Sequence, residues 1–309
     1  MLPSRGGFGR HPRDQTSRGG GIAMARRRGG TGMPMRRSAY DFPDVLKYAN
    51  MDMIGVMEVA DSSGMETDQE DSVKRADMMI QEELKKISSY VSKLLRQKFG
   101  RGPEACFASA GSRFLVITIR GFLSPMEEVL LQHGKEDSVD TTRSIIVSSM
   151  LPELRGVISV SLGVEVDRFY HDWNYANNAG VVIAVFEKEL PFARTIDLPP
   201  LRTAMDVEAF REEVNRISGY VQKVPEGVEI HAIAPKLIVV MRVGILIPIE
   251  KALLGRGFDR ELRIAKDRLE KEHFQQSPVF ARLLGGPLEN VFVDWNFLND
   301  EGIVCFQLK

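Results

Sequence analysis

The sequence has too few cysteines and too few apolar stretches for several classes of protein. Cys106 and Cys305 are the only cysteines among 309 residues, and their spacing fits neither a disulfide framework nor a metal site. The most apolar segment, residues 232–249, is interrupted by Lys236 and Arg242, whereas a membrane span needs about 20 predominantly apolar residues. The N-terminus also lacks the apolar core of a signal peptide. We therefore predict a cytoplasmic protein with reduced thiols and no transmembrane segment.

What the chain does contain is one stretch of sequence twice. Residues 172–182 read DWNYANNAGVV, and residues 294–304, which start 122 positions later, read DWNFLNDEGIV. Six of the eleven positions are identical, and the chain's two tryptophans, Trp173 and Trp295, align with each other. Unrelated sequences match at about one position in twenty, so these stretches indicate an internal repeat.

Each copy of the repeat predicts the same order of elements. An apolar stripe with helical spacing starts at Ile80 in the first copy and at Val207 in the second; two β runs, a helix, a broken helix and two more β runs follow. Short strands joined by hairpins favour an α+β fold, in which a four-stranded antiparallel sheet is covered by helices. We predict domains at residues 76–190 and 204–309, joined by a linker at residues 191–203. Fused copies are expected to face each other around a pseudo-twofold axis.

Signals for helix starts and breaks differ between the copies. Ser124 and Glu127 form a capping box in the first copy, whereas the second copy has Ile247 in place of the serine. Because losing such a cap typically costs about 1 kcal/mol, we expect the second helix start to be weaker. Pro152 and Pro278 each predict a kinked or split helix further along the chain.

The first part of the chain predicts a disordered arm, residues 1–75. Residues 1–50 carry nine Arg and one Lys against three Asp, a net charge of +7, and an acidic stretch follows. Arg-Gly-Gly triplets begin at Arg5, Arg18 and Arg28. Basic disordered segments can bind RNA through its phosphates, but a low-complexity tail or an over-extended gene start also explains the composition. We favour the latter explanations.

Polar side chains flank both tryptophans. Strand alternation places Trp173 on one face and Asp172 and Asn174 on the other, and Asp294 and Asn296 follow the same pattern. One interpretation is a polar groove or a surface for a partner protein. The other is hydrogen bonding to the hairpin ends and the neighbouring backbone, which is common for Asp and Asn near turns. We favour the second interpretation.

Residues of catalytic or metal chemistry do not recur between the copies. His171 stands beside Asp172, but the second copy has Val293 there, and the other histidines occupy unrelated positions. No H-x-x-x-H, C-x-x-C or G-x-S-x-G pattern is present. We therefore predict no catalytic residue, no cofactor and no metal, and interpret His171 as structural.

Several motifs in residues 82–188 resemble a bacterial family. They are FGRGP at residues 99–103, the SPME helix start at residues 124–127 and GVEV at residues 163–166. The family resembled is MpsC, the soluble component of a sodium-translocating membrane-potential-generating system. Residues 207–309 look like a diverged second copy. The resemblance implies a non-enzymatic accessory role beside a membrane cation or inorganic-carbon transport module, with no catalytic residues to transfer.

The leading hypothesis is therefore an accessory protein that binds a membrane transporter subunit from the cytoplasmic side or forms a homo-oligomer. The alternative is an RNA-associated protein that binds through residues 1–50. An enzyme with a site near Asp172 and Asp294 is the least favoured hypothesis.

Overall fold

The computed structural model describes residues 62–192 and 203–309. The predicted arm up to residue 61, with its Arg-Gly-Gly triplets, and most of the predicted linker, residues 193–202, lie outside the described residues.

The two described ranges form two modules with the same order of elements. The first module, residues 62–192, contains α1 (Ser62–Phe99), β1 (Ala105–Gly111), β2 (Phe114–Arg120), α2 (Pro125–Gln132), α3 (Glu136–Leu162), β3 (Val166–Asn174) and β4 (Ala179–Phe186). The second module, residues 203–309, contains α4 (Ala204–Val221), β5 (Gly227–Ala234), β6 (Leu237–Val243), α5 (Pro248–Leu254), α6 (Asp259–Gln276), α7 (Pro278–Leu283), β7 (Leu288–Asn296) and β8 (Glu301–Leu308).

Both modules build the same four-stranded antiparallel sheet. The strand order is β1-β2-β4-β3 in the first module and β5-β6-β8-β7 in the second. Even the irregularities repeat: the register shifts between Val166 and Arg168 in β3 and between Leu288 and Asn290 in β7. The predicted α+β fold with two equivalent sheets is confirmed.

The core has three parts arranged in layers. The helices of each module cover one face of its sheet, and Trp173 and Trp295 lie in these two helical cores with 3% of their surface exposed. A third apolar cluster joins the opposite faces of the two sheets; it contains Phe114, Tyr170, Ile183, Val239, Phe292 and Cys305 among others. Strand β1 also lies against β5, and β3 against β7. The copies therefore face each other, as predicted.

The first helix is longer than the sequence analysis predicted. Helix α1 begins at Ser62 rather than near Ile80, so residues 62–75 belong to a helix and not to the arm. The apolar stripe starts only at Ile80, but the sequence from Met65 to Phe99 contains no glycine or proline and is rich in good helix formers. A helix can thus extend beyond the part that packs on the core.

The predicted helix signals are confirmed except at one proline. Ser124 Oγ accepts the Glu127 N–H at 3.3 Å, whereas at the second start only Glu250 supports the cap, by accepting the Ile247 N–H at 2.9 Å. Pro278 starts a separate helix, α7, but Pro152 lies inside a continuous α3. An exposed proline can stay in a helix whose other turns are held by packing.

Helix α3 is both long and apolar. Among the described residues it is the one helix with the length and apolar composition of a membrane span; the prediction of no such segment had considered residues 232–249 instead. Core helices meet the same criterion, and Val147, Leu154 and Ile158 of α3 are buried in the first module.

Candidate site between the modules

Two aspartates join the modules where β3 meets β7. Asp172 Oδ2 accepts the N–H of Val293 at 2.7 Å, and Asp294 Oδ2 accepts the N–H of His171 at 2.8 Å. Both carboxylates are buried, with 7% and 8% exposed. An edge strand has unpaired N–H groups, and each aspartate satisfies one on the other module. The contact is reciprocal, as in an isologous interface.

Helix α6 supplies the cations for both carboxylates. Lys271 Nζ lies 2.7 Å from Asp172 and 2.8 Å from Asp267, and it donates to the Trp173 carbonyl oxygen at 2.9 Å. Arg263 forms an ion pair with Asp294. The lysine thus crosses to the first module, whereas the arginine stays within the second.

The equivalent positions of α3 carry no cation. Numbers in α3 and α6 correspond with an offset of 123, so Asp140 corresponds to Arg263 and Ser148 to Lys271. The Asp140 carboxylate instead accepts the Tyr175 hydroxyl at 3.1 Å. The contact between strands is nearly symmetric, but the charges around it are not.

A cavity of about 490 Å³ lies between α3 and α6 above this strand contact. Its lining is charged, with acidic groups from α3 and mixed groups from α6 and the two strands. The residues that define this intermodule cavity include Asp140, Ser144, His171, Tyr175, Arg263, Asp267 and Lys271. Because both modules contribute walls, the duplication itself creates the cavity.

Burial and shared charge shift the pKa values around the lysine. Burial raises the pKa of Asp172 well above its usual range, and the nearby Asp267 charge adds to this. Burial also raises the pKa of Asp267. For Lys271, burial acts to lower the pKa, but the two carboxylates outweigh it and the pKa is raised. One charged lysine therefore serves two carboxyl groups, of which one readily holds a proton.

The histidine and the tyrosine of the cavity stay neutral near pH 7. Burial lowers the pKa of His171, although the Asp294 charge opposes this. Burial, with the Asp140 charge, raises the pKa of Tyr175. His171 lines the cavity, and its backbone N–H donates to Asp294 of the second module.

The two predicted asparagines lie at the ends of their hairpins. Asn174 Oδ1 accepts the Asn177 N–H at 3.2 Å, and Asn296 Oδ1 accepts the Asn299 N–H at 3.3 Å. Asn174 also donates to Asn290 of the second module at 2.9 Å. The structure thus brings Asp172 and Asp294 together between the modules and leaves the asparagines at hairpins. A surface for a separate partner protein at these residues stays a prediction.

Each module buries a cation that the sequence analysis missed. Arg143 binds Glu127 at 2.7 and 2.9 Å, and Lys266 binds Glu250 at the equivalent place at 3.0 Å. Of the two glutamates, the sequence pattern identified Glu127, and only as a capping residue. At the offset of 123 that relates α3 to α6, Arg143 aligns with Lys266. A cation retained at this position in both copies is the sequence signal that could have identified the buried pair.

Metal-ligating side chains are not clustered in residues 62–192 and 203–309. Among these residues, no cluster of three or more His, Cys, Asp or Glu side chains is arranged to hold a metal ion. Arg5, Arg18 and Arg28 lie outside the described residues, so the RNA-binding hypothesis stays a prediction.

The fold and the site define a protein of two duplicated α+β modules that enclose a charged cavity. Residues 81–188 match the family model described as Na+-translocating membrane potential-generating system (MpsC). The match lies within the first module, and it agrees with the resemblance that the motifs of residues 82–188 indicated. The second module shares its topology but lies outside the matched residues. No curated protein and no solved structure matches the chain.

Proposed function

We propose that the chain is a non-catalytic accessory protein of a membrane cation or inorganic-carbon transport module. The observation that carries this proposal is the family match over residues 81–188, which spans the first module from α1 to the end of β4. The description of that family names a membrane potential-generating system. The chain would act at the membrane surface by binding a membrane subunit.

The contacts around the intermodule cavity support a holding role rather than a reaction. Asp172 and Asp294 each accept a backbone N–H from the other module. Lys271 of the second module donates to the Trp173 carbonyl oxygen of the first. Each of these groups therefore has a structural task that explains its burial. The reciprocal contact would fix the two modules in one arrangement for a partner.

The test is a deletion of the gene in the organism that encodes it. We expect the Na+-dependent part of the membrane potential, measured with a potential-sensitive dye, to fall and to be restored by the full chain. Purification of tagged full chain from cross-linked membranes should also recover a membrane subunit of a cation transport system, identified by mass spectrometry. An unchanged potential together with no such subunit would refute the proposal.

A further inference from the structure

Ion pairs between the two sheets are sorted by module. Three arginines in or beside strands of the first module bind three glutamates in strands of the second. These pairs are Arg113 with Glu229 at 2.8 Å, Arg120 with Glu289 at 2.5 Å and Arg168 with Glu301 at 3.0 Å. Lys271 of α6 adds a pair in the opposite direction, with Asp172 at 2.7 Å. The sheet of the first module thus presents cations to carboxylates of the second.

The pseudo-twofold arrangement gives each ion pair a symmetric counterpart, in which the matched residues of the two modules are exchanged. Residue numbers in β1, β3 and β4 match those of the second module at an offset of 122, and those of α3 and of residues 113–120 match at an offset of 123. None of the four counterparts joins opposite charges; they are Lys236 with Phe107, Val243 with Asp167, Asn290 with Ala179, and Ser148 with Asp294. Each of these ion pairs therefore exists on one side of the pseudo-twofold axis alone.

Two copies of the first module paired through the same face would keep the backbone contact. Asp172 of each copy would accept the His171 N–H of the other, because Val293, its present donor, is the residue that matches His171. The backbone hydrogen bonds therefore do not decide which module binds.

The charged contacts, in contrast, would mostly be lost between two first modules. Arg168 would face Ala179 in place of Glu301. Of the three arginines, only Arg120 would meet a carboxylate, that of Asp167. The side chains of Arg168 and Glu301 are only 19% and 15% exposed, and a largely buried charge without its partner is unfavourable. The second module is therefore the better partner.

We infer that the pairing face of the first module, defined by Arg113, Arg120, Arg168 and Asp172, selects the second module and rejects a second copy of itself. The reciprocal backbone hydrogen bonds serve either partner, so the ion pairs supply the choice. The second module is thus a built-in partner for this face, and a homo-oligomer of the chain must form through another surface.

The experiment uses the full chain with a protease site introduced between residues 193 and 202. After cleavage of the folded protein, we expect the two halves to stay together in size-exclusion chromatography. Their dissociation constant is measured on serial dilution by energy transfer between a dye on each half. Glu301→Arg places a second guanidinium beside Arg168, and we expect it to raise this constant at least about tenfold.

Two further variants separate charge pairing from misfolding. Arg168→Glu combined with Glu301→Arg restores opposite charges and should recover most of the affinity. Glu208→Arg makes the same change on α4, where Glu208 is exposed and pairs with Arg211 of its own module, and it should leave the affinity unchanged. An unchanged constant in Glu301→Arg, or a loss that the double variant does not reduce, would overturn the inference.

Selection against a second copy is tested by exchange. Two cleaved preparations, one with a hexahistidine tag and one with a streptavidin-binding tag on the first half, are mixed until dye-labelled second halves have exchanged between them. Each tagged first half should be recovered with second halves and not with the other tagged first half. Recovery of both tagged first halves in one complex, in comparable yield, would show that the face does not select. Separation of the wild-type halves on cleavage would contradict the inference as well.

Discussion

The two modules share a topology, but they bury their cations in different surroundings. In the first module, the Arg143 guanidinium lies 4.4 Å from the Trp173 ring and 4.9 Å from the Phe122 ring, and Glu127 is its one carboxylate partner among the described residues. It also donates to the Phe122 carbonyl oxygen. One ion pair is thus surrounded by aromatic rings.

In the second module, the equivalent cation belongs to a network. Lys266 contacts both Glu250 and Glu270, at 3.0 and 3.4 Å. Glu270 also accepts from Arg242 at 2.5 Å and from the Trp295 indole at 3.2 Å. A buried cation at the same place in the fold can thus be neutralised by a single carboxylate or by a network of carboxylates and cations. The two modules should therefore lose different amounts of stability when one charged residue is removed.

The largest effect is expected from Arg143→Met. This change leaves Glu127 buried without its ion-pair partner, which typically costs about 3–5 kcal/mol. Arg242→Met in the second module should cost less, because Glu270 keeps Lys266 at 3.4 Å. The free energy of unfolding from urea titration measures both. Equal losses would contradict the distinction between a single pair and a network; adding Glu127→Gln to Arg143→Met should recover part of the loss.

A smaller effect is expected from Gly180→Ala, which tests how each tryptophan packs on its sheet. A Cβ at Gly180 would lie 2.0 Å from the Trp173 ring, whereas a Cβ at Gly302 would lie 3.0 Å from the Trp295 ring and 2.7 Å from Ile245. Such overpacking typically costs about 1–3 kcal/mol. We expect Gly180→Ala to destabilise more than Gly302→Ala in thermal unfolding, since a ring is less able to move than the end of an isoleucine. The reverse order would contradict this.

The N-terminal ends of α2 and α5 should differ in stability by about the contribution of one side-chain cap. Ser124→Ala removes the side-chain acceptor of α2 and should cost about 1 kcal/mol. Ile247→Ser adds the missing acceptor to α5 and should raise the free energy of unfolding by up to a similar amount. The loss of the partly buried Ile247 side chain reduces this gain. Chemical denaturation measures both changes. Destabilisation by Ile247→Ser would show that this burial outweighs the cap.

A change in the free energy of unfolding with pH is expected from Asp172. Its pKa is raised in the folded state, so its contribution to stability is present below its usual pKa and is lost as pH rises through the folded value. Relative to Asp172→Asn, which cannot ionise, the wild type should therefore lose stability across that window. Unfolding titrations at a series of pH values measure the difference. A gain in wild-type stability with rising pH would contradict the raised pKa.

Much of the fold could be predicted because it depends on local patterns. The Asp-Trp-Asn repeat, the Ser124 capping box and the alternating β runs each specify their element within a few residues. The α1 start was misplaced because helix propensity extends it beyond the apolar stripe. Pro152 was misjudged because its helix is held by packing along its length, which a local rule does not include.

Much of the candidate site could not be predicted, because its partners are distant in the chain. Asp172 and Lys271 are 99 residues apart, and nothing near either residue indicates the other. Strand alternation correctly directed Asp172 and Asp294 away from the helical cores. It could not show that an edge N–H of the other module lies there.

The sequence by itself determined two similar α+β modules, since periodic apolar residues, turns and caps act over short distances and appear twice. Only the tertiary structure decided that the two sheets cover each other's apolar faces. It also decided that Asp172 and Asp294 form hydrogen bonds between β3 and β7, and that a cavity lies above this contact. The physical reason is that burial and charge pairing depend on which surfaces meet, and those surfaces come from opposite halves of the chain.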